Sequence, residues 1–160
     1  MPRMQIALRS MTAQDASFCA LIACDSEIGS RYGFEPERMA DSLRSAIASG
    51  GELFVAEAEG GIVGFAWGEP KGAFASAPYL RLIAVSESSR GSGVGSALLA
   101  EFESRTRWVS RDWCLLVSDF NKKAQAFYEQ HGYRRVGALP DFARAGIAEI
   151  LMVKPHGPLS

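Results

Sequence analysis

The segment YLRLIAVSESSRGSGVGSALLAEFESRTR, residues 79–107, constrains the fold more than any other part of the chain. An apolar strand-like run breaks into serine and glycine, and a helical pattern follows with Leu98, Phe102 and Arg105 on one side. The run WCLLVSDF comes next and reads as a buried strand. Strand, crossover helix and strand make the stretches 79–85 and 114–120 parallel neighbours.

The flanking sequence supplies antiparallel partners. MQIALRSM reads as a first strand, and Thr12 with Asp15 three residues on resembles a capping box for a helix over Ala13 to Ser26. Phe18, Leu21, Ile22 and the nearby cysteines give that helix its apolar face. EIGSRYGFEP is turn-rich, and Pro36 then suits the first position of a helix carrying Met39, Leu43 and Ile47 and ending at Gly50-Gly51. ELFVAEA and IVGFAWGEP flank EGG, a hairpin signal. Asn121 caps the short helix KKAQAFYEQH, which Gly132 ends, and the strands YRRVGAL and AEILMVK surround the loop PDFARAG. The predicted order is β-α-α-β-β-β-α-β-α-β-β: one α/β (α+β) domain over residues 1–160, with a mixed, mostly antiparallel sheet around a central parallel pair.

Charge and composition remove several function classes. With 17 basic and 18 acidic residues there is no electrostatic basis for nucleic acid or an anionic membrane as partner. Cys19, Cys24 and Cys114 form no CxxC pair, and His131 and His156 are too few for a zinc site. The start MPRMQIALRSM has no apolar leader core, and no apolar run reaches membrane-spanning length, so the expected localisation is cytoplasmic.

The glycine segment itself fits neither common nucleotide motif. A dinucleotide fingerprint counted from Gly91 needs glycine where Ser96 stands, and counted from Gly93 it needs glycine at Leu98. No Gly-Lys-Ser/Thr follows, which removes a Walker loop. What remains is a helix entry whose first amides have no internal acceptor, with close backbone approach at Gly91, Gly93 and Gly95 and a fixed charge at Arg90. This is an anion cradle of another kind, or a plain glycine-rich helix start.

A second motif decides between them. VSESSRGSGVGSALL resembles the acyl-CoA-binding motif of the GNAT superfamily of N-acetyltransferases, R/Q-x-x-G-x-G/A, through Arg90, Gly93 and Gly95. NKKAQAFYEQHGYRRVG resembles that family's second signature, N-x-x-A-x-x-x-Y-x-x-x-G-F/Y, through Asn121, Ala124, Tyr128, Gly132 and Tyr133. The element order is also similar to the family's.

The resemblance implies acetyl-CoA as cofactor and direct transfer of acetyl to a primary amine. The pyrophosphate is then expected on the backbone of Arg90, Gly91, Ser92, Gly93, Val94, Gly95 and Ser96. The pantetheine arm is expected along Ile83, Ala84 and Val85, with an amide near Ile83 facing the developing oxyanion. Tyr128 is the expected general acid, Asn121 a partner of the arm, and Ala124 and Phe127 its apolar wall. Glu69 and Asp119 are the leading candidates for the base, ahead of Glu149, Glu27 or a water chain. Trp67, Tyr32 and Phe34 are candidates for the acceptor side. The acceptor is a small-molecule or a protein or peptide amine, and the C-terminal strands offer a homodimer surface. The alternative is a non-catalytic acyl-CoA-binding sensor on the same fold.

Overall fold

A computed structural model describes residues 4–155 of the chain. The strands are β1 (Ala7–Ser10), β2 (Glu52–Ala58), β3 (Gly61–Ala73), β4 (Ala77–Val85), β5 (Asp112–Ser118), β6 (Arg134–Leu139) and β7 (Glu149–Pro155). The helices are α1 (Ala16–Cys24), α2 (Glu27–Tyr32), α3 (Pro36–Ala48), α4 (Val94–Thr106) and α5 (Lys122–Gln130). The hydrogen-bonded strand order is β1-β2-β3-β4-β5-β7-β6, mixed α/β with one parallel pair. The backbone forms two compact units: residues up to Glu69 with Leu82–Arg105, and Pro70–Arg81 with residues from Thr106 onward. His156 lies outside the described residues.

In the first unit β2 and β3 form the predicted hairpin. Glu59 and Gly60 both have positive φ, 51° and 83°, the geometry that a two-residue turn of matching twist requires. α4 lies against β3 through two glycines four apart, which therefore share a strand face. A Cβ on Gly64 would come within 3.1 Å of Val94, and one on Gly68 within 2.6 Å of the Phe102 ring. Val94, Leu98 and Phe102 are buried, so this smooth trough fixes where α4 starts and hence where the glycine loop sits. Gly68→Ala is expected to destabilise the fold by about 2 kcal/mol, since a methyl forced into packed space is overpacking. In denaturant unfolding, Gly68→Ala combined with Phe102→Leu should cost less than the two single changes added together.

Two expectations need correction. EIGSRYGFEP is not simply a turn-rich connection, because Glu27–Tyr32 forms α2, capped by Ser26 Oγ accepting from Gly29 N at 2.9 Å. Gly29 is there for close approach: a Cβ would stand 2.4 Å from the Ala23 carbonyl oxygen. The helical order is thus β-α-α-α-β-β-β-α-β-α-β-β. The face of α1 also differs. Ala16, Cys19, Ala20, Ile22 and Ala23 are buried, whereas Phe18 and Leu21 are 52% and 55% exposed. The small residues let α1 pack closely beside α3, whose Met39, Ala40, Leu43 and Ala46 share its core.

In the second unit, β4 and β5 are parallel at Tyr79↔Cys114 and Leu80↔Leu115. β5 continues antiparallel to β7 over seven residue pairs, from Asp112↔Pro155 to Ser118↔Glu149. α5 follows β5 directly, and Gly132 at φ 95° reverses the chain into β6.

Candidate functional site

In the first unit the glycine loop takes the form that an anion cradle needs. Glu87–Ser89 makes one tight turn, with Ser89 N donating to Ser86 O at 2.9 Å. Arg90 is exposed, and its Nε donates to the Val85 carbonyl at 3.3 Å. Gly91 and Gly93 then adopt φ of 79° and 91°, conformations strained for any residue with a Cβ. Space for a Cβ at either is open, with nothing within 4 Å. Ser92 Oγ donates to Ser89 O and braces the loop. Ala97 N closes the first helical turn onto Gly93 O at 3.1 Å, so the amides of Val94 and Gly95 precede the helix's first donor. Gly95 is already helical, so its role is the absence of a side chain rather than unusual backbone. Residues Gly91 to Gly95 fit a diphosphate on these grounds: exposed Gly91 and Gly93, a positive helix end, open space and a neighbouring guanidinium.

Ile83, Ala84 and Val85 form the end of β4, with Ala84 buried and the others half-buried. Val85 O is the one carbonyl of this stretch that Arg90 occupies. Beside the loop lies an open cavity of about 450 Å³. Phe18, Leu21 and Ile22 of α1 give it an apolar wall, and Asp25, Glu87 and Arg90 carry its charge. Glu69 is not at a strand end as the sequence suggests; β3 runs on through Pro70 to Ala73. Its Oε1 accepts the Trp67 indole N–H at 2.9 Å. Trp67 and Tyr32 are buried, and Tyr32 stacks on Phe34 at 6.0 Å, so these three rings belong in good part to the core.

In the second unit Asn121 caps α5, its Oδ1 accepting from Ala124 N at 3.1 Å. Tyr128 is half-buried, its ring edge-on to Phe127 at 5.2 Å and to Tyr133 at 5.8 Å. Burial raises the Tyr128 phenol well above the ordinary tyrosine value, and the Tyr79 phenol adds to the rise. Tyr79, which the sequence reading passed over, is itself raised by burial. Asp119 follows β5 and is tied twice to one residue: its N–H donates to Ala148 O at 2.9 Å, and its Oδ2 accepts from Ala148 N at 3.2 Å. Glu149 is buried on β7 beside Ser118. Gln125, also missed, is 1% exposed in the middle of α5. A polar residue three positions before Tyr128, between Ala124 and Ala126, was the available signal.

Comparison with known proteins identifies the family. Residues 49–135, more than half of the chain, match the Acetyltransferase (GNAT) domain. A blasticidin-S acetyltransferase of Streptomyces morookaense is 35% identical over 76 residues, 48% of this chain and 55% of that protein, so the match spans about half of the relative's length. Among solved structures, a candidate GNAT-family acetyltransferase from Desulfovibrio desulfuricans superposes with a TM-score of 0.78 at 26% identity, over 96% of this chain and 100% of that one. A ribosomal-protein-alanine N-acetyltransferase from Brucella melitensis shares the fold, with a TM-score of 0.77 at 22% identity, over 93% and 99% of the two chains. Among the described residues no helix is long and apolar enough to cross a membrane.

Proposed function

The chain belongs to the GNAT acetyltransferase family, and from that premise we propose that it is an acetyl-CoA-dependent enzyme that transfers acetyl to a primary amine by direct attack. The observation that carries this reading is the open helix entry at Gly91–Gly95, with two positive-φ glycines and Arg90 beside it. Acetyl-CoA supplies the acetyl group as a thioester: a bond forms from the amine nitrogen to the carbonyl carbon, the C–S bond breaks, and sulfur leaves as thiolate.

The residues divide the remaining work. Arg90 and the amides from Gly91 to Ser96 hold the pyrophosphate. Backbone groups of Ile83, Ala84 and Val85 pair with the amides of the arm, and an N–H near Ile83 faces the carbonyl oxygen as charge develops there. Asn121 binds the arm, while Ala124 and Phe127 wall it from water. Tyr128 donates a hydrogen bond to the departing sulfur. An ordinary tyrosine, with a pKa of about 10, is a weaker acid than a thiol at about 8.5, and burial widens the gap. Tyr128 therefore stabilises the thiolate chiefly as a donor, and the proton that sulfur finally takes originates on the substrate ammonium. Either Glu69 or Asp119, each with one carboxylate oxygen engaged within the fold, is the candidate to accept that proton first, directly or through water. The cavity walled by Phe18 and Leu21 is lined by two carboxylates, Asp25 and Glu87, against the one guanidinium of Arg90, which suits a cationic amine on an apolar body.

Thiol release from acetyl-CoA over an amine panel tests the proposal. Amine-dependent release is expected, with apolar cationic amines ahead of acidic ones. Coenzyme A binding without release for any amine would instead favour the sensor reading.

A further inference from the structure

Gln125 is the most buried polar side chain of α5, and its amide is paired on both sides. Nε2 donates to Ser118 O at 2.9 Å and to Asp119 O at 3.1 Å, while Oε1 accepts from Arg135 Nη2 of β6. Arg135 is held in turn by Glu129, one turn further along α5, at 3.1 Å. Ser118 O also accepts from Asn121 N at 3.0 Å, and Asp119 is doubly tied to Ala148. The two carbonyls that Gln125 reads are therefore the point where β5 stops and the cap of α5 begins. A leucine would fill the same space without desolvating an amide, so burial alone does not account for glutamine here. α5 has nine residues and is too short to be rigid by itself, so its pitch depends on such anchors.

We infer that Gln125 is a positioning residue: bridging the end of β5 to Arg135, it sets the pitch of α5 and thereby the location of the Tyr128 hydroxyl one turn on. The inference rests on the proposed role of Tyr128. A hydroxyl shifted by about 1 Å loses most of a directional contact to a reacting atom, while the helix still forms and still packs.

The test is a pair of cycles. Gln125→Met keeps the volume and removes both hydrogen-bonding ends; kcat is expected to fall about tenfold. Tyr128→Phe made in that background should then cost less than threefold, although it is expected to be far costlier in the native chain. An equal cost in both backgrounds overturns the inference. A silent Tyr128→Phe in the native chain would overturn the role of Tyr128 itself. A second readout needs no catalysis: with ring-labelled tyrosine, the Tyr128 resonance, assigned by its loss in Tyr128→Phe, should titrate closer to the ordinary tyrosine value in Gln125→Met. An unchanged titration counts against positioning. If Gln125→Met does not fold, Arg135→Met, at a half-exposed site, removes the partner of Oε1 and carries the same two measurements.

Discussion

Tyr128→Phe is expected to lower kcat about 100-fold, about the worth of one hydrogen bond to a charged group, and to leave KM for acetyl-CoA within about twofold. The variant keeps the ring, and with it the edge contacts to Phe127 and Tyr133, so the loss reports on the hydroxyl alone. The pH profile provides an independent check. The competent form of Tyr128 is the protonated one, and burial raises its pKa, so this form persists to higher pH than at an exposed tyrosine. The substrate amine needs the opposite, since an ammonium of pKa about 10.4 becomes nucleophilic only as pH rises. Native kcat/KM should therefore climb with pH through the ordinary tyrosine range without a descending limb from phenol ionisation. A descending limb between about pH 8 and 10 that disappears in Tyr128→Phe would show an unshifted phenol and contradict the burial argument. Steady-state rates in a constant-ionic-strength buffer series decide it.

How much of this was legible in the sequence follows from the range of the interactions involved. Asn121 and Gly132 act within four residues of where they stand, through a cap and a chain reversal, and were readable. So was the Glu59-Gly60 turn. α1 was readable as a helix but not as a face. Its sequence ASFCALIAC has only Ser17 as a polar member, so periodicity does not distinguish Phe18 and Leu21 from Cys19 and Ile22. α3 decides that choice, by favouring small residues at the contact. α2 is too short to show periodicity, and Gly29, which reads as a breaker, is instead required by the nearby Ala23 carbonyl. Gln125 gave only the hint of a polar residue between two alanines, because its partners are distant in sequence: Ser118 at the end of β5, Asp119 just beyond it, and Arg135 ten residues ahead in β6.

Gly93→Ala is expected to weaken coenzyme A binding about 30-fold, equivalent to about 2 kcal/mol, or roughly one charge-assisted hydrogen bond. No atom lies where the new methyl would go, so steric clash within the fold is not the cause. The cause is backbone conformation. At φ 91° an alanine is strained, and relaxing that strain rotates the peptide units on either side of Gly93 out of their native orientation. The methyl also occupies the open space that a diphosphate would enter. Gly95→Ala provides the contrast, because Gly95 is helical and alanine is a better helix former; its effect on binding comes from the methyl alone and should be smaller than that of Gly93→Ala. Calorimetric titration with coenzyme A and with pantetheine separates the causes. Pantetheine lacks the pyrophosphate, so its affinity should be nearly indifferent to Gly93→Ala if this loop grips phosphate. Equal losses for the two ligands would mean that the substitution disturbs the arm site along β4 instead. No loss for either would remove the loop from the binding site.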